Sequence, residues 1–242
     1  MKAIQEFTKA ENTFATKYLS VREKEGFLIP DKLVQDLPDI SQSHPLFEQW
    51  KLRKINSQKF CDFLTERNPK GYILELGCGN GWFAHQIAMS CEAQVVGLDI
   101  NMPELEQANR VFHRENLVFG FGDIFKANFS MKFDVIVLNA AVQYFSNFQL
   151  LLKRLEACLS PNGEIHILDS HFYESKLALA DAKKRSEEYY ENIGVPEMKN
   201  HYFHHSMDDL KDFEIMSRVR GKLSSLFRKK SPFAWYRKSL RK

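Results

Sequence analysis

The stretch Tyr72-Ile73-Leu74-Glu75-Leu76-Gly77-Cys78-Gly79-Asn80-Gly81 decides the fold of this chain. Four apolar residues around one carboxylate run into three glycines at alternate positions, and the helix-compatible Trp82-Phe83-Ala84-His85-Gln86-Ile87-Ala88 follows. That order predicts a strand, a tight turn and a helix N-terminus, the arrangement that holds a nucleotide-like ligand against bare backbone. Glycine is needed where φ turns positive or where a ligand touches the main chain, because a Cβ would clash there.

Working outward, strands and helices alternate from Gly71 onward, the pattern of a parallel sheet covered on both faces. Strands are predicted at Tyr72 to Leu76, Ala93 to Leu98, Leu117 to Phe121, Phe133 to Asn139 and Gly163 to Leu168, with two more at Phe213 to Val219 and Pro232 to Ser239. Helices are predicted from Trp82 to Ser90, Met102 to His113, Phe148 to Cys158 and Glu174 to Glu191. The fold class is therefore α/β, with a doubly wound, mainly parallel, seven-stranded Rossmann-like sheet. Upstream, Thr8 to Leu19 and Leu46 to Thr65 have helical apolar spacing, separated by Pro30, Pro38 and Pro45. We read residues 1–70 as a helical N-terminal cap and 71–242 as the ligand-binding domain, packed as one unit.

Composition narrows the setting. Cys61, Cys78, Cys91 and Cys158 form no CxxC pair and read as reduced thiols of a cytoplasmic protein. No apolar run approaches the length of a membrane span, and the N-terminus has no apolar leader core. The net charge of +3 hides an asymmetry: residues 217–242 hold ten basic residues and no acid. This end is either a solvated terminus or an anion-attracting surface.

In an open α/β sheet, ligands bind beyond the carboxyl ends of the strands. There the second strand ends in Asp99, 22 residues after Gly77, where an acid can bridge two ribose hydroxyls, and the third leads into Gly122-Asp123-Ile124-Phe125. The bland reading of Asp99 is a turn carboxylate before Asn101-Met102-Pro103. An NAD oxidoreductase fits less well, because the loop reads GxGxG rather than GxGxxG.

With these segments in place, together with Phe133-Asp134-Val135-Ile136 and Leu159-Ser160-Pro161-Asn162-Gly163-Glu164, the sequence resembles the class I S-adenosylmethionine-dependent methyltransferases over roughly Gly71 to Ser170. The resemblance implies S-adenosyl-L-methionine as cofactor. It implies that Glu75 orients the amino end of the cofactor's methionine part, while Gly77, Cys78, Gly79 and Gly81 let that part and the ribose approach the backbone. Asp99 would accept from the ribose hydroxyls, Ile100 on one face and Ile124 or Phe125 on the other would enclose the adenine, and Asp123 would accept from its amino group. Asn139 would line the methionine end and the acceptor's approach. A site edged by three acids suits a sulfonium better than a pyrophosphate.

The acceptor is less legible. The stretch Asn139-Ala140-Ala141-Val142-Gln143-Tyr144-Phe145 lacks the Asn/Asp-Pro-Pro-aromatic motif of enzymes acting on DNA bases or glutamine amides, which leaves a small molecule. Its oxygen is the expected methyl acceptor, with nitrogen or carbon behind it. RNA is the alternative, because Phe227, Phe233, Trp235 and Tyr236 lie among the basic residues of the tail; a cofactor-binding subunit without transfer activity is another.

After the fifth strand, Asp169-Ser170-His171-Phe172-Tyr173 should stand near the acceptor. His171, with an ordinary pKa near 6.5, is the candidate general base, alongside Asn139 and Tyr173 as catalytic candidates. On that expectation His171→Ala would collapse turnover and spare cofactor affinity. His201, His204 and His205 would share a face if helical, but no acid completes a metal-ligand pattern, and no metal is expected. Candidate acceptor-wall aromatics are Phe14, Tyr18, Phe47, Trp50, Tyr189, Tyr190, Tyr202 and Phe203.

Overall fold

A computed structural model of the chain describes residues 3–8, 13–217 and 233–240. The chain opens with a two-residue strand β1 (Gln5–Glu6), followed by helices α1 (Thr13–Lys24), α2 (Asp31–Gln35) and α3 (Phe47–Arg67). The alternating part then runs β2 (Tyr72–Leu76), α4 (Trp82–Ser90), β3 (Gln94–Asp99), α5 (Met102–Val111), β4 (Leu117–Phe121), β5 (Phe133–Asn139), α6 (Phe148–Cys158) and β6 (Leu159–Leu168). It is completed by β7 (Phe172–Tyr173), α7 (Lys176–Asn192), β8 (His205–Ser206), β9 (Glu214–Ser217) and β10 (Trp235–Ser239).

The main sheet has the order β1-β4-β3-β2-β5-β6-β10-β9, and β7 pairs with β8 in a small separate sheet. Strands β1 to β6 pair in parallel, and β10 is antiparallel to both of its neighbours. The expected doubly wound architecture is present, with eight strands rather than seven. The extra strand comes from the segment expected to be only helical: Gln5 pairs with Gly120 and Glu6 with Phe121. Phe7 lies against β4 in the space that Gly120 leaves open, since a Cβ there would come within 2.4 Å of the Phe7 ring.

Helix α3 shows why the N-terminal helices stay docked. Trp50, Phe60, Cys61 and Leu64 recur at helical spacing on its buried face and enter the same core as Phe83 and Ile87 of α4. Phe60 has no exposed surface, and its truncation to alanine should cost about 3–5 kcal/mol. In β10, Trp235 and Tyr236 enter the cores on opposite sides of the sheet, as the two-residue period of a strand requires. Trp235 donates from Nε1 to His166 Nδ1 at 3.0 Å, so these tail aromatics are core residues and not a base-stacking surface. Arg237 and Lys238 are also engaged, with Glu214 and with Glu156 and Asp212 respectively. Arg218, Arg220, Lys222, Phe227, Arg228, Lys229, Lys230, Arg241 and Lys242 lie outside the described residues. Among the described residues no helix is long and apolar enough to cross a membrane.

The sheet order reverses between β2 and β5, which both pair with neighbours leading away to opposite edges. The carboxyl ends of the strands at such a reversal diverge and leave a crevice. The glycine turn after β2 sits there.

Candidate active site

The turn is held by its own backbone. Gly77 and Cys78 donate their N–H groups to Leu98 O at 2.8 and 3.2 Å, and Gly81 N–H to Cys78 O at 2.9 Å. Gly81 has φ 77°, and a Cβ on it would lie 2.6 Å from the Phe119 ring and 2.7 Å from Ala108 Cβ. Gly81 therefore secures the packing of α4 onto the sheet rather than lining the ligand space. Gly77, with φ 80°, leaves the gap into which Ala141 fits, where a Cβ would stand 2.7 Å from that of Ala141.

One cavity opens at the reversal. It is bordered by Glu75, Gly77, Cys78, Gly79, Asp99, Ile100, Asp123, Ile124 and Asn139, which are the residues expected from the sequence except Gly81. Glu75 is 2% exposed, and its Oε2 has no hydrogen-bond partner. Burial, then the negative charge of Asp99, pushes its pKa well above the carboxylate range, against a backbone N–H donated by Ala84. Asn139 Oδ1 is likewise buried and unpartnered. Asp99 accepts from Gly79 N at 2.8 Å and from Asn101 N at 2.9 Å, so it braces the glycine turn. Burial raises its pKa, and those backbone donors oppose the shift.

Sequence reasoning missed a further acid, Glu104, in the first turn of α5. It borders the cavity, is buried, accepts from Asn101 Nδ2 at 2.9 Å, and has its pKa pushed up to about 7, first by burial and then by Asp99. Its position at a helix N-terminus was visible in the sequence, but its burial beside Gly79 was not. Arg22, Arg53, Gln143 and Tyr144 also border the cavity, and no local motif marked them. Ala140, at the mouth of β5, has φ 52°, a left-handed backbone that costs a non-glycine residue free energy and concentrates at ligand sites.

The expected acceptor-side residues separate into two groups. Phe14, Tyr18 and Trp50 border the cavity, while Tyr173, Tyr189, Tyr190 and Tyr202 border an adjoining hollow that shares Arg22, Arg53, Gln143 and Tyr144 with it. Phe47 and Phe203 border neither. His171 is not brought to either space. Its side chain is exposed against Tyr173, with ring centres 4.5 Å apart, because β7 turns the chain away toward β8.

The three downstream histidines do not share a helical face, since the short 3-10 helix ends at His201. His201 contacts Lys17, His204 contacts Ser186, and buried His205 contacts Val142 O. Among the described residues no group of three or more His, Cys, Asp or Glu could hold a metal ion.

A turn that leaves its backbone bare, bounded by buried and partly unpartnered acids, is suited to a cationic nucleoside. Residues 68–224 match the family model described as a methyltransferase domain. The chain belongs to the methyltransferase-domain family. It is similar to malonyl-[acyl-carrier protein] O-methyltransferase of Priestia megaterium, at 27% identity over 40% of this chain and 36% of that protein. It is also similar to trans-aconitate 2-methyltransferase of Deinococcus radiodurans, at 31% identity over 50% of this chain and 46% of that protein. The match thus spans less than half the length of either relative. Among solved structures, magnesium protoporphyrin IX methyltransferase (ChlM) from Synechocystis with bound SAH shares the fold, with a TM-score of 0.58 and 13% identity over 93% of this chain and 99% of that one.

The cavity fits S-adenosylmethionine by its own chemistry. The unpartnered Glu75 Oε2 and Asn139 Oδ1 can accept from an ammonium, and three desolvated acids offset a sulfonium charge.

Proposed function

We propose that this methyltransferase transfers the methyl group of S-adenosylmethionine to an oxygen of a small-molecule acceptor. The observation that carries the reading is the buried Glu75 carboxylate, whose Oε2 has no partner inside the protein and borders the cavity. A buried carboxylate in that state is stabilised by a bound cation. The cofactor supplies an activated methyl group on a sulfonium; the protein's part is to orient the reactants and exclude water.

In this reading Glu75 and Asn139 hold the methionine end, Asp99 keeps the glycine turn closed and accepts from the ribose, and Ile100, Ile124 and Asp123 surround the adenine. The side chains of Phe14, Tyr18 and Trp50 from α1 and α3 border the remaining space and restrict it to a small molecule. The names of the relatives support oxygen as the target, since one is an O-methyltransferase and the other is named for a carboxylic acid. Where the acceptor must lose a proton a base is needed, and where it is already an anion none is.

The test is direct. S-adenosylhomocysteine should raise the melting temperature and NAD should not, and labelled methyl from S-adenosylmethionine should appear in a small acid or alcohol rather than in RNA. A melting temperature indifferent to S-adenosylhomocysteine would falsify the proposal.

A further inference from the structure

Two arginines face the cavity from the helices that precede the sheet. Arg22 on α1 and Arg53 on α3 border it, and both also border the adjoining hollow beside Arg185. Their guanidinium carbons stand 3.9 and 5.6 Å from the centre of the same Phe27 ring, and that of Arg53 is 5.2 Å from the Trp50 ring. Arg53 makes no ion pair among the described residues. Arg22 has a 3.4 Å contact with Glu25, and its Nε is buried without a partner.

A guanidinium offers five N–H donors in one plane, and an aromatic face compensates its charge without accepting those in-plane hydrogens. Two such groups on one ring repel each other. Burial first, and the charge of Arg22 second, lower the pKa of Arg53. Glu104 lies within electrostatic reach of Arg22 and Asp169 within that of Arg53, but Glu104 Oε2 accepts from Asn101 and Asp169 Oδ1 from Asn56. The pair therefore retains incompletely matched positive charge and donors at the edge of space that a ligand can enter, and a carboxylate matches both by accepting two parallel hydrogen bonds from a guanidinium.

We infer that Arg22 and Arg53 form the recognition site for the acceptor, which is a small free carboxylic acid methylated on a carboxylate oxygen. This inference rests on the proposed function above. The carboxylate oxygen forms a bond to the methyl carbon while the carbon–sulfur bond breaks, and the electron pair of that bond stays on sulfur. No proton moves, so no general base is required, in keeping with a cavity bordered by no histidine among the described residues. The reacting carboxylate becomes a neutral ester group and the sulfonium a neutral thioether. The esterified group has lost its charge and pairs more weakly with the arginines, which favours release of the product.

The experiment uses the full chain saturated with S-adenosylhomocysteine, titrated with malonate and with trans-aconitate by calorimetry. A parallel assay follows labelled methyl ester formation from S-adenosylmethionine. The expected result is binding and methylation of at least one acid, with its fully esterified form neither bound nor methylated. Arg53→Gln and Arg22→Gln should each weaken the acid by at least about tenfold, and Arg53→Lys should lose less. In every variant an unchanged melting shift with S-adenosylhomocysteine shows that the fold and cofactor site persist. The inference is overturned if neither acid binds the loaded wild-type protein, or if Arg53→Gln binds it equally well. Failure of S-adenosylhomocysteine itself to bind would instead remove the proposed function.

Discussion

Glu75, Asp99 and Glu104 reach the cavity from the ends of β2 and β3 and the first turn of α5, whereas Arg22 and Arg53 reach it from α1 and α3. Both sets are desolvated, yet they are held differently. Burial raises the pKa of all three acids, Asp99 raises the other two further, and backbone N–H groups and an Asn amide steady them. The arginines lean on aromatic rings, and Arg53 has Asp169 within electrostatic reach but no direct ion pair among the described residues. The difference teaches that one cavity is divided by charge, with an acidic floor suited to a cationic donor and a basic wall suited to an anionic acceptor. Such a division favours bringing opposite charges together, because each half is poorly compensated until its ligand arrives.

The strongest blow to this arrangement should come from the frame both halves share. Gly81→Ala forces a side chain into the Phe119 ring at a positive φ, and we expect a loss of about 2–5 kcal/mol of stability by chemical denaturation. A change below about 1 kcal/mol would mean that α4 is not tied to the sheet at this point.

Next in size is Glu104→Gln, which tests whether the acidic floor is costly when empty. The native pKa of about 7 lies above the ordinary 4.5, so between those values the folded state binds more protons than the unfolded state and stability falls as pH rises. Above pH 7 the whole cost is present, and glutamine removes it while still accepting from Asn101. The ligand-free variant should therefore be more stable by up to about 3 kcal/mol above pH 7, with the difference vanishing below pH 4.5. A difference that grows toward acid pH would refute this sign.

Glu75→Gln should separate stability from binding. Without its ion pair to a cofactor ammonium, S-adenosylmethionine affinity by calorimetry should drop roughly ten- to hundredfold, while the ligand-free melting temperature at pH 8 rises. A fall in both would assign Glu75 to the fold alone. The smallest expected effect is at His171, which is exposed and outside the cavity. His171→Ala should change turnover by less than about threefold, where loss of a general base would cost about 100-fold or more.

The framework was legible because strands and helices leave periodic traces. β2, β4, β5, α4 and α6 begin and end where apolar pattern and turn residues predict. The misses have local causes. β1 is two residues long and has no periodicity of its own, and it exists because Gly120 leaves room for Phe7. Thr8 lies outside α1 (Thr13–Lys24), since Gln5 to Thr8 run along the edge of β4, where Asp123 N–H donates to Thr8 Oγ1 at 3.0 Å, while residues 9–12 lie outside the described residues. β6 begins at Leu159, before the predicted Gly163, because Phe133 of β5 already pairs with Leu159 across a register shift.

The acidic, glycine-lined half of the cavity was already legible in the sequence. Glycines at alternate positions and acids at strand ends are local chemistry, and the parallel topology carries those strand ends to a common edge wherever the pattern occurs. The basic wall of the cavity came from tertiary packing alone. Arg22 and Arg53 are 31 positions apart on separate helices, with nothing in their neighbourhoods to distinguish them from surface arginines. They became a pair because α1 and α3 fold over the sheet and seat both guanidinium groups against Phe27. His171 went the other way, because short pairing between β7 and β8 turned a residue adjacent in sequence to the strand end out toward solvent.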